Sequence, residues 1–262
     1  MNPSHILIWN VRGLNSVARR NVVRSLVVST KIDIVCLQET KMVAISREII
    51  LSMLGSDFDN NYICLPSVGA SGGILIAWRS RLGAIQASRK GNHSASVQFC
   101  SASGSPWWLT CVYGPQDNQE KLQFLQELRD IRVQCTGAWL VAGDFNLIYR
   151  DEDKNNGNLN RAMMGRFRRW INDMAFTELP LHGRKYTWSS SSSSASPTLV
   201  KLDRIFCPLT GRTCSLIVSY RARPRMTRII ALSFWACGTS PLLRGDFTSN
   251  PFGLTWMVSW IR

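Results

Sequence analysis

Apolar and polar positions change period repeatedly along the first 206 residues. Ile6–Val11 and Ile32–Leu37 are unbroken apolar runs bounded by turn residues, the pattern of strands buried on both faces. Tyr62–Leu65, Gly73–Trp78, Ser94–Cys100 and Trp107–Tyr113 follow as strands separated by Gly, Ser and Pro, and Trp139–Ala142 is a further strand that stops at Gly143. Between them the period lengthens. Asn21–Ser29 carries Val22, Val23, Leu26 and Val27 at helical spacing, and Ile45–Leu54 reads as a second helix. Asn118 is placed to cap a helix that runs to Gln134, with Leu122, Leu125, Leu128 and Ile131 on one face. Arg161–Met174 is helical, apolar at Met164, Phe167 and Ile171, with Arg166, Arg168 and Arg169 on its other faces. The serine run Ser189–Ser194 has nothing to bury and predicts a mobile loop, flanked by a hairpin of Tyr186–Trp188 and Thr198–Phe206. Interleaved strands and helices with several strands in succession predict an α/β protein containing at least one antiparallel sheet.

Composition narrows the class. The chain has 262 residues, 45% of them hydrophobic and 18% charged, which suffices for a large core and excludes collagen, coiled coil and wholesale disorder. No apolar run is long enough to span a membrane, and the start MNPSHILIWNVRG lacks the basic lead of a signal peptide. The eight cysteines include no CxxC pair and no zinc-spaced cluster, so they read as reduced thiols of an intracellular protein. With 31 basic against 17 acidic residues the net charge is +14, which favours a polyanionic partner, nucleic acid before a membrane surface. Composition shifts abruptly near Cys207. Beyond it stand seven Arg, no Lys and a single acid, Asp246. Two regions are therefore expected: a folded body over 1–206 and a poorly ordered tail over 207–262.

Polar side chains stand at the ends of four apolar runs: Asn10 in IWNVRGLN, Glu39 in IVCLQETK, Asp144 and Asn146 in LVAGDFNLI, and Asp203 in KLDRIF. Any one alone reads as a loop cap. Four together point to one cleft, because ligands of α/β sheets bind where strands end. Glu39 offers an anionic oxygen and Asn10 a neutral one, a pairing suited to Mg²⁺ that keeps several waters. Asp144 is able to orient a water or accept its proton.

The segments WNVRGLN (9–15), LQETK (37–41), GGILIAW (72–78), VYGP (112–115), AGDFNLI (142–148), MGRFRRWIND (164–173), LPLHGRKYTW (179–188) and LVKLDRIF (199–206) occur in one order over nearly the whole of residues 5–206. Together they resemble the endonuclease/exonuclease/phosphatase superfamily, and within it the apurinic-endonuclease-like domain that opens the polyprotein of plant LINE-type (non-LTR) retrotransposons. The resemblance implies a four-layer α/β sandwich, two facing mixed β-sheets flanked by helices. It implies a phosphodiesterase that nicks DNA with Mg²⁺ (or Mn²⁺), needs no small-molecule cofactor and works in the nucleus. By the same resemblance Glu39 is the principal metal ligand with Asn10 beside it. Tyr113 supports the scissile phosphate, Asp144 aligns or deprotonates the attacking water, and Asn146 holds the phosphate. Asp203 orients a histidine that stabilises charge on the phosphoryl oxygens. Two alternatives stand beside this: an inactive, basic nucleic-acid-binding remnant, and a phosphatase acting on small or lipid phosphates. The Arg-rich helix, and 24 basic against 16 acidic side chains over residues 1–206, suit a long polyanion better.

The family's closing SDH motif is missing. The histidines are His5, His93 and His182, and none follows Asp203. Codon logic offers a reason. Joining the third base of each codon to the first two of the next makes Met226-Thr227 read Asp, and permits SDHCPL over Thr227–Ser233. Residues 208–262 are therefore expected to be out of frame from a point close to Cys207. The fold would then be incomplete at its C-terminus, with an open edge on one sheet, and nicking would be weak or absent.

Overall fold

The computed structural model describes residues 4–100, 106–181, 185–190, 196–208, 214–219 and 229–236, the last two segments as backbone. In chain order they form β1 (Ser4–Asn10), α1 (Val17–Ser29), β2 (Ile34–Gln38), α2 (Arg47–Leu54), β3 (Tyr62–Val68), β4 (Ser71–Trp78), β5 (Ala87–Lys90), β6 (Ser94–Cys100), β7 (Pro106–Tyr113), α3 (Asn118–Gln134), β8 (Ala138–Asp144), α4 (Arg161–Asp173) and β9 (Phe176–Glu178). The short pair β10 (Trp188–Ser189) and β11 (Leu199–Val200) follows, then β12 (Asp203–Pro208), β13 (Cys214–Ser219) and β14 (Ile229–Ala236).

Two six-stranded sheets result, in the orders β13-β14-β1-β2-β4-β3 and β5-β6-β7-β8-β12-β9. Both are mixed. The parallel pairs are β1–β2, joined through α1, and β7–β8, joined through α3; the other pairings are antiparallel. A helix is the usual connection that parallel neighbours require.

Period-2 alternation sorts each strand between two environments. Ile6 and Ile8 of β1, Ile34 and Cys36 of β2, Leu109 and Cys111 of β7, Leu140 and Ala142 of β8 and Ile205 of β12 form the core between the sheets. Their neighbours Leu7, Trp9, Val35 and Leu37 pack outward with Val23, Leu26, Val27, Ile50 and Met53 of α1 and α2. Trp108, Val112, Trp139, Val141 and Phe206 pack outward with Phe124, Leu128, Phe167 and Trp170 of α3 and α4. The four layers are thus helix, sheet, sheet, helix, as the resemblance implied.

Three details differ from the sequence reading. Asp117, not Asn118, caps α3, its carboxylate accepting from the Gln119 and Glu120 N–H groups. The short strands β5 and β9 were not expected, because four or three residues carry too little alternation to detect. The edge of β1 is not left open: β14 pairs with it antiparallel and β13 pairs with β14, so both sheets have six strands. The expected hairpin is present, with Trp188 opposite Val200 and Ser189 opposite Leu199. His182, the serine run from 191 onward and most of the tail beyond 208 lie outside the described residues.

Candidate active site

The alternation that builds the core also builds the site. Asn10 continues the inward series Ile6, Ile8; Tyr113 continues Leu109, Cys111; Asp144 continues Leu140, Ala142; and Asp203 precedes Ile205 on the same face. Each is the polar end of an apolar inward row. The rows end together, because Tyr113 pairs with Asp144 in the parallel ladder and Asp203 pairs with Asp144 in the antiparallel one. Three of the expected residues therefore lie side by side across β7, β8 and β12.

The fourth crosses from the facing sheet. Asn10 Nδ2 donates to Asp144 Oδ2 at 2.9 Å, and both side chains are buried. Asp144 Oδ1 accepts from the Asn146 N–H at 3.1 Å. Asn146 is itself fixed at both ends: its Nδ2 donates to the Gly114 carbonyl at 2.5 Å, and its Oδ1 accepts from Gln116 Nε2 at 3.1 Å. Asp203 is placed by Thr187, whose hydroxyl accepts from the Leu202 and Asp203 N–H groups at 2.9 and 3.0 Å.

Glu39 reaches the same end of the sandwich by backbone pairing. Gln38 pairs with Asn10, and the Glu39 carbonyl accepts from the Gly13 N–H at 2.7 Å. Its carboxylate is mostly covered and meets the Lys41 ammonium at 3.1 Å. Four non-glycine residues with left-handed backbone, Arg12, Glu39, Lys41 and Asn146 (φ 51–55°), surround this point. Such conformations cost energy for residues with a Cβ and concentrate where geometry serves chemistry.

Sequence reasoning missed several residues here. Gln38 is buried between the sheets and donates to Cys111 Sγ at 3.0 Å; its place in the inward series Ile34, Cys36, Gln38 is the signal that would have found it. Lys41 and Gln116 are visible only through partners brought together by the fold. Arg204, next to Asp203 but buried on the opposite face of β12, joins Asp153 at 2.6 Å and Glu178 at 2.7 Å. Neither of the described histidines turns its ring into the centre. His5 lies at the opposite end of β1 from Asn10, and His93 gives its carbonyl to the Tyr113 N–H at 2.9 Å while its ring packs on Phe124.

The endonuclease/exonuclease/phosphatase family pattern matches residues 7–229. The chain belongs to this family. Its fold is similar to the catalytic domain of Xenopus laevis APE2 (TM-score 0.64, 17% identity, covering 90% of this chain and 94% of that one). It is also similar to the AP endonuclease LMAP from Leishmania major (TM-score 0.65, 14% identity, 90% and 89% covered). A third similar structure is the endonuclease domain of TRAS1, a telomere-specific non-LTR retrotransposon (TM-score 0.59, 12% identity, 88% and 98% covered). Among curated proteins no relative matches the sequence.

A divalent ion is expected in this family, and the donor set fits one. Glu39 and Asn10 present a carboxylate and an amide oxygen, both hard ligands. Among the described residues no group of three His, Cys, Asp or Glu side chains is gathered as a metal site, so a bound ion would draw on amide oxygens and water besides Glu39. No helix of the described residues is long and apolar enough to cross a membrane.

Proposed function

We propose that this chain is a divalent-metal-dependent phosphodiesterase that nicks DNA, with Asn10, Glu39, Tyr113, Asp144, Asn146 and Asp203 as its working residues. The observation that carries the reading is the Asn10–Asp144 hydrogen bond, which places the polar ends of both sheets in one centre. Net charge +14 suits a DNA substrate, and similar structures include an AP endonuclease and a retrotransposon endonuclease domain.

Glu39 and Asn10 would hold the divalent ion, which would supply charge neutralisation at the phosphoryl oxygens. The protein does the positioning. Asp144, held by Asn10 and by the Asn146 N–H, orients a water in line with the scissile bond. As the water oxygen bonds phosphorus, its proton passes to Asp144, the opposite P–O bond breaks, and the leaving oxygen takes a proton from solvent. Asn146, fixed by Gly114 and Gln116, donates to a phosphoryl oxygen, and Tyr113 braces the phosphate from the neighbouring strand. Preorganised donors of this kind are worth about 10²–10³ in rate each.

Activity of this copy is reduced, in our reading, because no histidine follows Asp203. The register supports an out-of-frame origin for this loss. Ile229 and Ile230 pair with Trp9 and Ile8, next to Asn10, and the shifted frame across those two codons permits His. Restoring the frame after codon 207 should raise the nicking rate by about 10²–10³. Plasmid nicking with Mg²⁺ and with EDTA, run beside phosphate release from a phosphoinositide, tests the assignment. Metal-dependent nicking without phosphate release supports it, and the reverse outcome refutes it.

A further inference from the structure

Arg12 stands out among the basic residues near this centre. It follows β1 by two positions, its N–H donates to Asn10 Oδ1 at 3.2 Å, and its side chain is exposed. Its backbone is left-handed (φ 53°), and so is that of Gly13 (φ 108°). This strained turn is tightly held. The N–H groups of Val11, Gly13 and Leu14 donate to the carbonyls of Gln38, Glu39 and Thr40 at 3.0, 2.7 and 2.8 Å. Arg20 Nη1 donates to the Leu14 and Asn15 carbonyls, and Asn15 Nδ2 donates to the Lys41 carbonyl. The loop backbone is therefore well held, and it carries an exposed arginine next to Asn10.

That guanidinium has no acidic partner among the described residues, although other arginines do. Arg47 pairs with Asp59, Arg81 with Asp33, and Arg161 and Arg168 with Asp151. The carboxylate of Glu39, whose carbonyl holds the Gly13 N–H, is engaged by Lys41. A solvated arginine on a mobile loop would be unremarkable. A strained, hydrogen-bonded loop that fixes the Arg12 backbone beside Asn10 tethers an unpaired guanidinium within reach of an anion at the site.

We propose that Arg12 binds a DNA backbone phosphate next to the scissile one and so sets the register of the strand in the site. This rests on the nuclease reading. Such a contact positions the duplex and carries no base preference.

The test is fluorescence anisotropy with a labelled DNA duplex in EDTA, over a range of KCl concentrations, so that binding is read without cleavage. Arg12→Asn removes the charge while keeping a side chain that tolerates left-handed backbone. Arg12→Lys keeps the charge, and Arg24→Ala on α1 controls for net charge. Arg12→Asn should weaken binding roughly 3- to 10-fold and lower the salt slope by about 0.9, the value for one phosphate. Arg12→Lys should keep the slope, and Arg24→Ala should leave it near wild type. Equal thermal melting of the variants rules out misfolding as the cause. If wild-type protein binds and Arg12→Asn matches it in affinity and slope, this inference is wrong and the nuclease reading stands. If wild-type protein does not bind the duplex, both fail.

Discussion

Asn10 and Asp144 lie 134 positions apart in sequence and share a buried 2.9 Å hydrogen bond that bridges the two sheets. Asn10→Ala removes a donor from a buried carboxylate, which typically costs about 1–3 kcal/mol. The variant should melt several degrees lower and, in our reading, nick about 10²-fold more slowly. Asp144→Asn keeps the shape but turns one of its two acceptors into a donor facing Asn10 Nδ2 or the Asn146 N–H, so it too should melt lower, as thermal melting of the pair will show. Equal melting of wild type and Asn10→Ala would mean that the bond is not a structural tie.

Arg204 is fully buried and answers two carboxylates, Asp153 and Glu178, while the Tyr149 ring lies 5.8 Å from its guanidinium. Removing one partner of a buried ionic cluster leaves uncompensated charge, and costs about 3–5 kcal/mol. Arg204→Met should therefore be strongly destabilised in urea titration. The double variant with Asp153→Asn, in which Glu178 keeps its pairing with Lys201, should recover much of the loss. Failure to recover would show that packing of the long side chain, not charge, dominates.

How far this was legible from sequence follows from distance along the chain. Strands β1, β7 and β8 were legible as apolar runs with polar residues at their ends, and the third helix was placed to Gln134 at its end and within one residue at its start. The polar row ends Asn10, Asp144 and Asp203 were legible for the same reason. Lys41 against Glu39 and Gln116 against Asn146 were not, since either pair depends on loop conformations that residue type does not encode. Arg204 read as one more basic residue in KLDRIF, because its acids come from segments 51 and 26 residues away.

Gly143 sits between Ala142 and Asp144 with φ 140°, and a Cβ there would lie 2.2 Å from the Val112 carbonyl oxygen. The obstruction is backbone of the adjoining strand, so it cannot move without disturbing Tyr113 and Asp144. Gly143→Ala should cost about 2–3 kcal/mol. It should also depress nicking beyond what its melting point explains. A variant that melts and nicks like wild type would show that β7 and β8 can separate without consequence.

Burial pushes the thiols of Cys64 and Cys135 up to about 11. Unfolded cysteine ionises near pH 8.5. Between these values the unfolded chain loses protons that the folded chain keeps, so stability falls as pH rises through that window. Substituting Ser at both positions should flatten the decline in chemical-denaturation midpoints from pH 8.5 to 11. At pH 8, iodoacetamide followed by peptide mapping should label exposed Cys100 ahead of both. Early labelling of Cys135 would contradict its burial.

The measurement closest to the central claim is the rate of supercoiled-plasmid nicking by wild type, Glu39→Gln and Asp144→Asn in Mg²⁺, with an EDTA control. The account predicts slow nicking by wild type that EDTA abolishes, and a further loss of at least about 10²-fold in each variant. Nicking that persists in EDTA, or that survives Asp144→Asn at the wild-type rate, would contradict it.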